Sequence, residues 1–301
     1  DHIALDALPQ LKSLKLVNNR IFALPAYTPS LQSLQFINLS NNRLEAFPEA
    51  LCEVPTLVDV DLSFNAIDGL PASIRRLERL ERLILRGNAL GALPAELATL
   101  PALHTLDVRN NMLHSLESLP SMAKLECLLA SDNGLTTVDA SLGAHLSVLD
   151  LRRNPLSRAQ LDTPAACRLT MLDLSQANLA TLSESLFPAL TSLTRLVLDG
   201  NQFVALPENI DVLMQLEHLS VAGNMLHRLP DSLGALRHLR RLDAQNNNLR
   251  TLPLSLWHCA ELYSINVSSN VLDSFPVPPG AADSRRESTV GNGLSLIHIS
   301  E

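Results

Sequence analysis

The sequence predicts an α/β solenoid, with a parallel β-sheet on one side of each repeat and short helices or turns on the other. Three observations predict it. In residues 83–103, LILRGNALGALPAELATLPAL, Leu83 and Leu85 alternate as in a strand, and Asn88, Leu90, Leu93-Pro94, Leu97 and Leu100 follow at fixed offsets. The polar position of that pattern recurs at Asn19, Asn42, Asn65, Asn88, Asn111, Asn133, Asn154, Ala177, Asn201, Asn224, Asn247 and Asn270, in steps of 23, 23, 23, 23, 22, 21, 23, 24, 23, 23 and 23 residues, which gives twelve repeats. Apolar residues make up 46% and aromatics only 3%, as a long, thin core of stacked Leu, Ile, Val and Ala requires.

Written generally the unit is L-x-L-x-x-N-x-L-x-x-L-P-x-x-L-x-x-L, which resembles the leucine-rich-repeat family. The resemblance implies a horseshoe with a parallel concave β-sheet and short convex helices or turns. The asparagines have a physical reason. A tight turn after each strand leaves buried backbone groups unpaired, and one amide side chain both donates and accepts. Stacked copies form a ladder, and loss of one rung leaves groups unsatisfied at roughly 1–3 kcal/mol. Position 177 is Ala, with Asn178 beside it as an alternative amide.

Taken in order, residues 1–11 read as the tail of an earlier repeat without an amphipathic cap, so the solenoid, residues 1–276, is expected to be incomplete at its N-terminus. Repeats one to four are regular and carry Leu24-Pro25, Phe47-Pro48, Leu70-Pro71 and Leu93-Pro94. The proline restrains the chain as it leaves the turn, and helix-like apolar spacing follows in residues 72–80. In repeats five to eight, Leu116-Glu117, Val138-Asp139, Ala159-Gln160 and Leu182-Ser183 replace Leu-Pro, where the irregular steps and the missing asparagine also fall. Both a docking site and neutral drift produce such a centre. Regularity returns at Leu206-Pro207, Leu229-Pro230, Leu252-Pro253 and Phe275-Pro276.

Residues 277–293, rich in Pro, Gly, Ser and charge, read as a flexible linker. Within it Arg285-Arg286-Glu287-Ser288 resembles the R-R-x-S pattern of basophilic kinases, which makes Ser288 a weak phosphorylation candidate. Residues 294–301, LSLIHISE, resemble the translation of a sequencing-library transposase adapter and are set aside as an artefact of read-through.

Composition narrows the function. A net charge of -8 without a dominant basic block argues against nucleic acid as the main partner. The four cysteines, Cys52, Cys127, Cys167 and Cys259, are widely spaced, which points to reduced thiols and an intracellular, cytoplasmic compartment, peripheral at a membrane only through a partner. The sequons Asn38-Leu39-Ser40 and Asn266-Val267-Ser268 are the main objection, and both fall in strand positions. No run of eighteen apolar residues occurs, so no transmembrane segment is expected. The nine histidines are scattered without metal spacing, and neither a phosphate-cradling glycine loop nor a nucleophile elbow is present. No catalytic residue, metal site or cofactor is expected in this segment, and function must lie on its surface.

Strand side chains alternate faces, so residues between and just after the strand leucines point to the concave side. The position two before each ladder residue reads Val17, Ser40, Ser63, Arg86, Arg109, Ser131, Arg152, Ser175, Asp199, Ala222, Gln245 and Ser268. Arg86, Arg109 and Arg152, with Arg82 and Arg153 beside them, form a basic spot, while Asp61, Asp107, Asp150, Asp173 and Asp243 line the neighbouring column. Two readings follow: a stripe that specifies a charged protein partner, or arginines that simply pair with the aspartates.

The 23-residue form with L-P-x-x-[IL]-x-x-L resembles the intracellular, Ras-related class of these repeats. More narrowly, LVNNRIFALP, NVSSNVLDSFPVPP and the Ser/Arg-rich linker are similar to the repeat region of fungal adenylate cyclases. That resemblance implies a regulatory segment that binds a GTP-loaded Ras-type GTPase, followed by a phosphatase-like domain and a magnesium-dependent cyclase domain that converts ATP to cAMP. It makes Arg82, Arg86, Arg109, Arg152 and Arg153 the candidate partner contacts. The alternative is a non-enzymatic intracellular scaffold in Ras or phosphatase signalling; a receptor ectodomain and a repeat protein joined to an active phosphatase also stay open.

Overall fold

Each strand is only three residues long and is followed at once by an apolar residue, buried after every strand but the first and the last, and then by a turn. The computed structural model describes residues 8–25, 31–116, 122, 124–137, 146–156, 167–183 and 186–277. These fall into two compact units, Asp1–Asn154 and Pro155–Glu301. The first unit holds β1 (Ser13–Lys15), β2 (Phe36–Asn38), β3 (Asp59–Asp61), β4 (Arg82–Ile84), β5 (Thr105–Asp107), β6 (Cys127–Leu129) and β7 (Val148–Asp150). The second holds β8 (Met171–Asp173), β9 (Arg195–Val197), β10 (His218–Ser220), β11 (Arg241–Asp243) and β12 (Ser264–Asn266).

Within each unit consecutive strands pair in parallel and in register. In the first, Leu14, Ile37, Val60, Leu83, Leu106, Leu128 and Leu149 stand side by side at the strand centres. In the second, Leu172, Leu196, Leu219, Leu242 and Ile265 do the same. Val60, Leu83, Leu106, Leu196, Leu219 and Leu242 are fully buried. The flanking strand residues therefore share the opposite, open face of the sheet. A slip by one residue would invert both faces, so the core sets the register.

The expected short helices are tight five-residue 3-10 segments at the Leu-Pro repeats. They are Glu49–Glu53, Ala72–Arg76 and Ala95–Thr99 in the first unit, and Glu208–Val212, Asp231–Ala235 and Leu254–His258 in the second. Each begins right after its proline, whose fixed φ starts the turn and whose missing N–H is not needed there. A repeat of 23 residues leaves room for little more than one turn. One repeat without Leu-Pro carries a four-residue α-helix, Leu186–Ala189.

The asparagines form a hydrogen-bonded ladder between repeats. Asn42 Nδ2 donates to Leu16 O at 2.8 Å and Leu39 O at 2.9 Å, and its Oδ1 accepts from Ile21 N at 3.0 Å. Asn65, Asn88, Asn111, Asn133 and Asn154 repeat this arrangement in the first unit. Asn201, Asn224, Asn247 and Asn270 do so in the second. Asn19, which is exposed, donates among the described residues within its own turn, to Leu16 O and Val17 O.

Ala177 is fully buried at its ladder position, and Asn178 does not replace it. Asn178 takes a left-handed conformation, φ 60°, and its Oδ1 accepts from Gln202 Nε2 instead. Most of the expected linker, residues 278–293, the adapter-like residues 294–301, and Ser288 lie outside the described residues.

Candidate functional site

The five arginines all lie in the first unit, and four of them face an aspartate. Arg109 makes a two-pronged contact with Asp107, Nε to Oδ1 at 2.9 Å and an Nη to Oδ2 at 2.6 Å. Arg152 Nε lies 3.5 Å from Asp150 Oδ2, Arg82 3.6 Å from Asp59 Oδ2, and Arg153 3.1 Å from Asp132 Oδ1. Arg86 differs. It is exposed, has no carboxylate partner among the described residues, and sets its guanidinium 5.5 Å from the centre of the Phe64 ring. Arg82, Arg86 and Arg109 stand in adjacent repeats, whereas Arg109 and the Arg152–Arg153 pair are two strand spacings apart, roughly 10 Å.

The aspartate column has a structural job that accounts for its recurrence. The Oδ1 atoms of Asp61, Asp107, Asp150 and Asp173 accept the backbone N–H of Ser63, Arg109, Arg152 and Ser175. Each carboxylate thus pins the chain where it leaves the strand. Asn38 and Asn266 do the same for Ser40 and Ser268, so both sequon amides are engaged inside the sheet. Asp107 and Asp150 are nearly buried, each 5% exposed. Hydrogen bonding to Asp107 raises the Arg109 pKa further.

The residue just before each ladder position takes the left-handed conformation. Asn18, Asn41 and Asn110 suit it, and Gly87, at φ 68°, accepts it freely. Phe64 adopts it too, at φ 54°, although it is bulky and 48% exposed. A Cβ on Gly87 would come within 2.7 Å of the Phe64 ring, so this glycine also makes room for it. Phe64 is held in an unfavourable backbone state under Arg86 while gaining little burial.

Two shallow concavities lie on the open faces. That of the first unit, about 440 Å³, is lined by residues including Lys15, Phe36, Asp59, Asp61, Arg82 and Ile84. Burial pushes the Asp59 carboxyl up, partly offset by Arg82. Phe36 is 45% exposed there. That of the second unit, about 490 Å³, is lined by residues including Arg195, His218, Arg240, Arg241, Asp243 and Tyr263. Sequence reasoning missed this second cluster, because it scanned the column after the strands. The first strand position, where Arg82, Arg195, His218 and Arg241 align, carries the signal.

The four cysteines are free thiols, with Cys52 and Cys259 buried. Burial pushes the Cys259 thiol up to about 11, and its Sγ donates to Leu233 O at 3.3 Å. Among the described residues no group of three or more His, Cys, Asp or Glu side chains is placed to hold a metal ion. No described helix is long and apolar enough to cross a membrane.

Comparison with known proteins places these repeats. The profile "Leucine rich repeat" matches residues 9–67 and 144–203, "Leucine Rich repeats (2 copies)" matches residues 78–121, and a further "Leucine Rich Repeat" profile matches residues 238–259. Together these matches span more than half of the chain. A curated relative named adenylate cyclase, from Mycosarcoma maydis, is 46% identical over 102 residues. That stretch is 34% of this chain and 4% of the relative. Among solved structures, a TDR receptor is similar with a TM-score of 0.74 and 26% identity, covering 90% of this chain and 49% of that one. An internalin from Listeria monocytogenes is similar in fold, with a TM-score of 0.66 and 20% identity over 97% of this chain and 91% of that one.

Proposed function

Because this chain belongs to the leucine-rich-repeat proteins, we propose that it is a protein-interaction and regulatory segment of an adenylate cyclase, and that it binds a Ras-type GTPase to control cAMP synthesis by a catalytic domain elsewhere in the protein. The observation that carries the choice of contact is Arg86 above Phe64. Every other candidate arginine already has a carboxylate within 3.6 Å. Arg86 has none among the described residues, so an acidic partner side chain would meet a cation whose charge is not yet spent.

Phe64 supports the same reading. A left-handed aromatic residue costs about 1–2 kcal/mol in backbone energy, and strain of this kind collects where a surface is used. The ring lies 5.5 Å from the guanidinium and offers an exposed apolar contact beside it. Aromatic and arginine side chains together are the usual strong points of protein interfaces. Arg109, locked to Asp107, adds a rigid, charge-balanced polar edge in the next repeat. The adenylate cyclase reading is supported by the 46% identity over 102 residues with the cyclase of Mycosarcoma maydis. The magnesium that such a catalytic domain uses has no ligands assigned among these residues.

The test is a titration of this chain with a Ras-type GTPase loaded with a non-hydrolysable GTP analogue or with GDP. Binding that strongly prefers the GTP-analogue form is expected. Equal affinity for both forms, or none for either, would contradict the proposal.

A further inference from the structure

Asn133 is the one ladder asparagine that is followed by glycine; the others all precede a residue with a Cβ. An Asn-Gly pair is prone to spontaneous deamidation, because glycine has no Cβ to hinder attack of its own backbone nitrogen on the preceding side-chain amide. The Gly134 nitrogen bonds to Asn133 Cγ, the Cγ–Nδ2 bond breaks, and Nδ2 leaves as ammonia with the amide hydrogen of Gly134. Water then opens the cyclic imide at either carbonyl, which leaves aspartate or isoaspartate at position 133. Water enters and ammonia leaves, with no change of oxidation state.

In the fold, one residue of the preceding repeat holds both reacting groups. Asn133 Oδ1 accepts from Leu113 N at 3.0 Å, and Gly134 N donates to Leu113 O at 2.8 Å. The leaving group is held as well, because Nδ2 donates to Val108 O at 3.0 Å, Ala130 O at 3.1 Å and Ser131 O at 3.2 Å. Ring closure requires the Gly134 nitrogen to turn onto Cγ, and that turn breaks the bonds to Leu113. The reaction therefore belongs to molecules in which this repeat has opened.

The product does not fit the place it came from. Aspartate has no Nδ2, so three carbonyl oxygens lose this donor and face a carboxylate oxygen instead. Isoaspartate also adds a methylene to the main chain, which displaces Gly134 from Leu113.

We propose that Asn133–Gly134 is a spontaneous modification site that Leu113 keeps silent in the folded chain, and that deamidation during an opening of this repeat bars the chain from refolding. The site is an ageing point: each long opening is recorded permanently at position 133. It holds or fails independently of the GTPase reading. The other Asn-Gly pair of the sequence, Asn292–Gly293, lies outside the described residues.

Tryptic cleavage after Lys124 and Arg152 isolates residues 125–152, in which Asn133 is the sole asparagine and glutamine is absent, so the mass shift of one deamidation assigns the site. The full chain is held in mildly alkaline buffer, with and without enough urea to unfold it, and this peptide is followed by mass spectrometry. Deamidation is expected to be slower by about tenfold or more in the native chain. Equal rates would overturn the proposal. After dilution from urea, the compact fraction from size exclusion should be depleted of the modified peptide, and equal content in the compact and non-native fractions would overturn it. Asn133→Asp, made directly, should lower the urea midpoint or fail to fold, and a wild-type midpoint would be contrary. Gly134→Ala keeps a neutral control: the added Cβ lies 3.4 Å from its nearest neighbour, Leu113 O, an ordinary contact. It should slow the reaction in urea and raise the recovery of folded chain after a long hold. Recovery that falls at the wild-type pace while position 133 stays unmodified would overturn the proposal.

Discussion

Asn201 Oδ1 lies 3.0 Å from the backbone nitrogen of Ala177, and it also accepts from Leu179 N at 3.0 Å. One amide thus holds two N–H groups of the preceding repeat, the one in which the ladder asparagine is missing. Its Nδ2 adds bonds to Leu174 O at 2.8 Å and Leu198 O at 2.9 Å. Asn201→Ala would leave these buried groups unsatisfied at roughly 1–3 kcal/mol each where water cannot enter. Urea unfolding followed by circular dichroism should show a much larger fall in midpoint for Asn201→Ala than for Asn19→Ala, which removes only two exposed bonds. Equal shifts would contradict the ladder's role.

Phe64→Asn should stabilise the fold. The change places an amide residue at φ 54°, where Asn18, Asn41 and Asn110 already sit comfortably. Relief of the left-handed backbone is worth about 1–2 kcal/mol, against modest loss of contact from a ring that is 48% exposed. A higher unfolding midpoint is expected, together with weaker partner binding. A lower midpoint would show that the ring is held for packing and not for recognition.

Asp199 gives a pH dependence of defined sign. Burial raises its carboxyl pKa above the ordinary value of 3.8, partly offset by its bonds to Ser220 and Ala222. The folded state therefore binds this proton more tightly than the unfolded chain does. The contribution is most favourable below pH 3.8 and is lost as pH rises through the raised folded value. Asp199→Asn mimics the protonated form, and its carbonyl oxygen can still accept both bonds. Its unfolding midpoint should exceed wild type at pH 7, and the gain should shrink as pH is lowered towards 4. A gain independent of pH would contradict the assignment.

The strands, the ladder and the proline-started turns were legible in the sequence because each is set by local spacing within one 23-residue unit. Asn42 and Asn224 take the bonds that their offset from the strand leucines implies. The site was legible only in part. The column of Arg86, Arg109 and Arg152 is on the open face as parity requires, but the parity that aligns Arg109 also puts it two residues from Asp107, which neutralises it. Four of the five arginines are paired in this way or across a repeat, a reading that residue types alone could not separate from a free basic patch. The ring of Phe64 under Arg86 depends on a left-handed backbone that shows in sequence only when its position is aligned with Asn41 and Gly87. Arg195 and Tyr263 were missed because their columns precede the one that was scanned. Asn178, adjacent to the ladder gap, could not fill it because its backbone turns left-handed and directs its amide to Gln202.

The most direct test of the interaction surface is the affinity of a GTP-analogue-loaded Ras-type GTPase for the wild-type chain, Arg86→Glu and Arg75→Glu, measured side by side by isothermal titration calorimetry. Arg86 is exposed on the open side of the sheet, and Arg75 lies in the 3-10 segment Ala72–Arg76 across the core. Loss of an exposed cation and its replacement by a like charge should weaken binding by about tenfold or more in Arg86→Glu, with Arg75→Glu within twofold of wild type on the scale of surface charge changes. Equal losses in the two variants, or no loss in Arg86→Glu, would contradict it.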